Sequence, residues 1–131
     1  MKKMIPMLLL LSLALTGCAA PALEANTYRQ ITMQEAVEMM EKEENYIILD
    51  VRTHEEFAAG HIPGAIVVPN ETIGAEDIPQ LPDKDQLIMV YCRSGNRSKQ
   101  ASDKLVKLGY TNIIEFGGII DWPGETVSGM D

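Results

Sequence analysis

Cys92-Arg93-Ser94-Gly95-Asn96-Arg97 is the segment of this chain best equipped for chemistry. A cysteine attacks as its thiolate, and a thiolate is favoured by guanidinium groups, by backbone N–H groups turned inward and by a helix N-terminus. Arg93 and Arg97 supply the first, and the turn through Ser94, Gly95 and Asn96 can supply the second. From the thiol alone, a small inert core residue beside two solvated arginines is the plainer reading. Position reverses it, because a cysteine in a Gly-containing, Arg-flanked turn at the end of a central strand is better explained as a nucleophile. Cys92 is therefore expected to be reactive and held as a thiolate at neutral pH.

The elements around that turn have to place it. Leu87-Ile88-Met89-Val90-Tyr91 is a continuous apolar run that predicts a central strand ending at the cysteine. Ser98 to Leu108, with Ala101, Leu105 and Leu108 on one stripe and Gly109 as a stop, predicts the helix that receives the loop. Upstream, the capping box Thr32-Met33-Gln34-Glu35 opens a helix reaching Glu43, in which Met39 and Met40 are core. Tyr46 to Leu49 predicts a buried strand with Asp50 at its end. A second capping box, Thr53-His54-Glu55-Glu56, starts a short helix through Phe57 that stops at Gly60. Ile62-Pro63-Gly64 then turns into a strand over 65–68, a Pro- and Gly-punctuated stretch follows with a short helix near Ile78, and Asn112 to Phe116 predicts a last strand. Strands alternating with helices give an α/β domain around a mainly parallel sheet, whose ligand site lies beyond the carboxyl ends of the strands. Asp50 and Arg52 at such an end are expected to pin loops, and His61 to order the turn after it. Gly117 and Gly118 permit a tight backbone, and Trp122 packs.

Lys2 and Lys3 followed by the apolar run Met7 to Leu15 have signal-peptide form and fall short of a spanning helix. Leu15-Thr16-Gly17-Cys18 resembles the lipobox of bacterial lipoproteins, in which the cysteine is acylated and the preceding peptide removed. The expected organisation is a signal peptide over 1–17, a lipidated tether over 18–27 beginning at Cys18, and one domain over 28–131. An extracytoplasmic protein tethered to a bacterial membrane follows, facing the periplasm or lying on the outer face of the cell membrane. Removing Lys2 and Lys3 from the 11 basic residues leaves 9 against 19 acidic ones, a net charge of about −10. Nucleic acid is therefore not an expected partner. With Cys18 acylated, Cys92 is the sole thiol and has no disulfide partner within the chain. One cysteine, with His54 and His61 seven apart, gives no metal-ligand spacing, so no metal is expected.

Asp50-Val51-Arg52, Glu55-Glu56-Phe57, Gly60-His61-Ile62-Pro63-Gly64-Ala65, Cys92-Arg93-Ser94-Gly95-Asn96-Arg97-Ser98 and Gly117-Gly118 with Trp122 together resemble a single rhodanese domain, over about residues 28 to 127. The resemblance implies a five-stranded, mostly parallel sheet flanked by helices, and a loop whose cysteine carries a persulfide. It implies a sulfurtransferase that moves sulfane sulfur from a thiosulfate-like donor to cyanide or a thiol, with no cofactor. In that scheme the N–H groups of residues 93–97 hold the anionic sulfur, and Arg93 and Arg97 bind the sulfonate end of the donor. Six residues from Cys92 through Arg97 match the sulfurtransferase loop, where related phosphatases and arsenate reductases have seven. Two alternatives stay beside it: a sulfur carrier or binding module that serves a protein acceptor, which nothing in the residues excludes, and a phosphatase or arsenate reductase on the same scaffold, against which the six-residue loop argues.

Overall fold

The computed structural model describes residues 27–130. The signal segment, Cys18 and all but the last residue of the tether lie outside them. Five strands form one sheet in the order β1 (Arg29–Gln30), β5 (Ile113–Gly118), β4 (Leu87–Cys92), β2 (Tyr46–Asp50), β3 (Ile66–Val67), and each pairing between neighbours is parallel. Three helices connect them: α1 (Met33–Lys42), α2 (His54–Ala59) and α3 (Asn96–Lys107). The expected α/β fold with a five-stranded parallel sheet is the one observed.

Alternation along the strands decides which face each side chain serves. Ile88, Val90 and Cys92 of β4 point to one face and join Leu49, Val51, Ala101, Leu105, Tyr110 and Ile113. Met89 and Tyr91 point to the other, with Ala36, Ile48, Phe57, Ile62 and Phe116. Cys92 therefore ends the strand on the face covered by α3. Both capping boxes form as expected: Thr32 accepts from the Glu35 N–H and Thr53 from the Glu56 N–H, while each glutamate returns a bond to the N-cap backbone.

The structure adds and moves some elements. β1 is two polar residues that earn their place only by pairing with Ile114 and Glu115, so no apolar pattern announced it. The helical turn after β3 is a 3-10 turn at Asn70–Thr72, in which the Thr72 hydroxyl donates to the Pro69 carbonyl. Near Ile78 there is instead a tight turn closed by the Leu81 N–H on the Ile78 carbonyl at 2.9 Å. The third helix begins at Asn96, two residues before the expected start at Ser98, because Gly95 at φ +108° lets the chain enter it directly. Met39 and Met40 are half-buried, packed against the core edge.

Candidate active site

β4 delivers Cys92 to the carboxyl edge of the sheet, where it is 1% exposed. The loop turns back so that the Gly95 N–H donates to Cys92 Sγ at 3.0 Å. Gly95 sits in the left-handed region, φ +108°, which a glycine adopts without the cost a Cβ would bring. Directly after it α3 begins, and the N–H groups of its first turn have no partners within the helix. The sulfur thus lies at a positive helix end with at least one N–H aimed at it, the setting that favours its anionic form.

The other side of the loop is closed by β5. Its pairing with β4 runs in step from Ile88 and Ile113 to Val90 and Glu115, then slips so that Cys92 stands opposite Gly118. The extra residue is a bulge, with Gly117 at φ +102°. A Cβ on Gly118 would collide with the backbone carbonyl of Arg93. The two glycines therefore allow the loop to lie against the strand, as their expected tight backbone requires.

The expected site residues divide. Arg93, Ser94 and Asn96 are exposed on the loop, and Arg93 lines a cleft of about 320 Å³ with Arg52, Glu56, Gly60, Ile119 and Thr126. Arg97 is engaged elsewhere: its guanidinium makes two bonds to Glu56, at 2.7 and 3.0 Å. That hydrogen bonding raises the guanidinium above its ordinary value and, with help from the Thr53 bonds, holds the Glu56 carboxyl down at about 2. A donor oxygen reaching Arg97 has to share it with Glu56, which leaves Arg93 as the less committed of the two arginines.

Asp50 and Arg52 tie the framework together, whereas the His61 ring bonds back to α2 and not to the turn after it, which Tyr91 and the Ala65 N–H hold instead. Asp50 is fully buried and takes Arg52 Nη2 at 2.7 Å and the Tyr91 hydroxyl at 2.6 Å. Arg52 also reaches the Gly60 carbonyl, and Tyr91 accepts the Ile62 N–H, so the network ties β2, β4 and the end of α2 together. Burial, with the Asp50 charge beside it, pushes the Tyr91 phenol far up and keeps it a neutral donor. His61 stacks on Phe57 with ring centroids 3.6 Å apart and bonds the Phe57 carbonyl through Nδ1 at 2.8 Å. Trp122 packs beside the second cluster and donates to the Glu125 carbonyl.

Residues 32–124 match the rhodanese-like domain family. This chain belongs to the rhodanese-like family. The thiosulfate sulfurtransferase PspE of Escherichia coli is 36% identical over 73 residues, covering 56% of this chain and 70% of the relative. The thiosulfate sulfurtransferase GlpE of Pseudomonas putida is 33% identical over 107 residues, covering 78% and 94%. A solved rhodanese from E. coli with bound anions is 33% identical with a TM-score of 0.59, over 64% of this chain and 99% of that one. These relatives support rhodanese-type sulfur transfer as the chemistry of this fold.

Three site residues escaped the reading of the sequence. Ser98 stood in the loop motif without a role, and its hydroxyl lies 3.4 Å from Cys92 Sγ. Glu56 read as half of a capping box and as part of a family motif, with no role at the site, yet it also holds Arg97. Glu115 is 2% exposed and accepts from the Ser98 hydroxyl at 2.5 Å. The one available signal was a lone acid inside the apolar strand Ile113-Ile114-Glu115-Phe116.

Proposed function

We propose that the chain is a sulfurtransferase in which Cys92 takes the outer sulfur of a thiosulfate-like donor and passes it to cyanide or a thiol. The observation that carries this reading is the six-residue loop in which Gly95 N–H meets Cys92 Sγ at 3.0 Å. The Cys92 thiolate attacks the outer sulfur, the donor's S–S bond breaks, and sulfite leaves with the electron pair. Cys92 is left as a persulfide, whose outer sulfur an incoming nucleophile then removes, regenerating the thiolate. The burial of Cys92 suits a terminal sulfur, which is slim enough to enter, better than a bulkier phosphoryl group. Loop N–H groups and the α3 dipole stabilise the anionic sulfur, while Arg93 draws the sulfonate end.

Thiocyanate formation from thiosulfate and cyanide tests the reading. Varying both substrates should give parallel double-reciprocal lines, the pattern of two half-reactions, and Cys92→Ser should abolish turnover in a folded protein. Turnover retained by Cys92→Ser would sink it.

A sulfur carrier whose persulfide serves a protein acceptor is a second use of the same loop, and the exposed Ile120, whose N–H bonds the Arg93 carbonyl, puts an apolar side chain next to it. We further propose that Cys18 carries a lipid and tethers the domain outside the cytoplasm, on the strength of the Leu15 to Cys18 segment. A Cys18→Ser chain that is still processed and sediments with membranes would contradict that proposal.

A further inference from the structure

Beneath the loop lies a second ionisable group that the sulfur-transfer scheme leaves unused. Cys92 S–H faces Ser98 Oγ at 3.4 Å, and Ser98 Oγ donates to Glu115 Oε2 at 2.5 Å. Ser98 has a single proton to give. The Gly95 and Gly117 carbonyls are also near, at 3.0 and 3.5 Å, but the carboxylate is both the closer and the charged acceptor. The three side chains therefore form a directed chain, sulfur to hydroxyl to carboxylate, buried at every link: Cys92 is 1%, Ser98 0% and Glu115 2% exposed. A buried carboxylate with no cation against it is rare, because an isolated charge is costly to remove from water. Here its remaining partners are neutral: Gln30 Nε2 at 3.2 Å and the Gly117 N–H at 3.0 Å.

We propose that Cys92 and Glu115 share one proton through Ser98, so that Glu115 stores the proton that leaves the thiol. The inference rests on the sulfurtransferase reading only in giving that thiolate its use. In the transfer, the S–H bond of Cys92 breaks and its hydrogen bonds to Ser98 Oγ, while the hydrogen of Ser98 passes to Glu115 Oε2. The pocket holds one negative charge before and one after. This avoids a buried thiolate and a buried carboxylate standing across a single hydroxyl, two like charges in a low-dielectric interior. Glu115 never meets the donor and is a positioning residue that acts through Ser98.

The surrounding charges leave this pair as the coupled one. From α3, Arg97 favours negative charge at Cys92, and Glu56 of α2 holds Arg97 in turn. From β2, Asp50 is committed to Arg52 and Tyr91. From just before β1, Tyr28 feels Glu115 and Asp103, both of which, after burial, raise its phenol and keep it neutral.

The test is the rate of Cys92 alkylation by iodoacetamide against pH, measured on the full chain with the modification read on the peptide that carries Cys92, so that Cys18 does not enter the rate. Two groups sharing a proton titrate as a pair, so the wild-type profile should rise in two steps separated by a plateau of partial reactivity. Glu115→Gln keeps the shape and the bond from Gly117 but cannot take a proton, and one of the two steps should vanish. Ser98→Ala should do the same with Glu115 intact. A single-step wild-type profile, or two steps that survive in Glu115→Gln, overturns the inference. Alkylation needs no sulfur donor, so the outcome is separate from the function: one sulfur gained from thiosulfate with a single-step profile fails the relay alone, and two steps without any sulfur gained fail the sulfurtransferase reading alone.

Discussion

At the scale of residues, the loop divides its labour between backbone and side chain. The backbone holds the sulfur, through Gly95 N–H at 3.0 Å, while only Arg93 among the loop cations stands free of an ion pair to meet the donor. Charge-assisted hydrogen bonds contribute about 1.5–3 kcal/mol. Arg93→Ala should therefore raise the thiosulfate concentration needed for half-maximal turnover by roughly ten- to a hundredfold, with the maximal rate less affected; initial rates over a range of thiosulfate give the answer. Arg97→Ala also needs more donor, but it leaves Glu56 without its partner and so mixes binding with framework effects. The role of Cys92 was legible because the nucleophile, its loop and its strand are contiguous in the chain. The bond from Arg97 to Glu56 was not, since 41 residues separate partners that meet only because the parallel strands β2 and β4 deliver α2 and the start of α3 to the same edge of the sheet. Glu115 was hidden for the same reason, its partner Ser98 lying on a different element.

At the scale of elements, strand alternation and one bulge place the site. Alternation puts Cys92 under α3 and Tyr91 over the Asp50–Arg52 pair, so one strand feeds the reactive loop with one face and its buttress with the other. Apolar runs and capping boxes made β2, β4, α1 and α2 legible from local pattern. β1 was not, because two polar residues become a strand only through a long-range pairing. Gly118 shows what the bulge accomplishes. Its backbone at φ −133° is open to any residue, so its requirement is purely one of space against the Arg93 carbonyl. Gly118→Ala should displace the loop, costing roughly 1–3 kcal/mol of stability as an overpacking change and lowering turnover more than the donor requirement alone explains. Denaturant unfolding together with turnover checks both, and a variant of unchanged stability and rate would mean the contact is not made.

At the scale of the whole molecule, an acidic chain with a net charge of −8 presents a cationic loop to an anionic donor. Surface charges are screened over roughly 8–10 Å at physiological salt, so the local field of the loop decides. The acidic balance acts instead on stability. Glu56 is held at about 2 in the fold against 4.5 when free, so its contribution is complete above pH 4.5 and drains away as the pH falls towards 2. Glu56→Gln should flatten the dependence of unfolding free energy on pH within that window, and an unchanged slope would remove the ion pair from the account. The most direct test of the whole is intact mass analysis of the protein after thiosulfate and removal of excess donor. The account predicts a gain of one sulfur, located on Cys92 and discharged by cyanide; a wild-type mass that stays unchanged would contradict it.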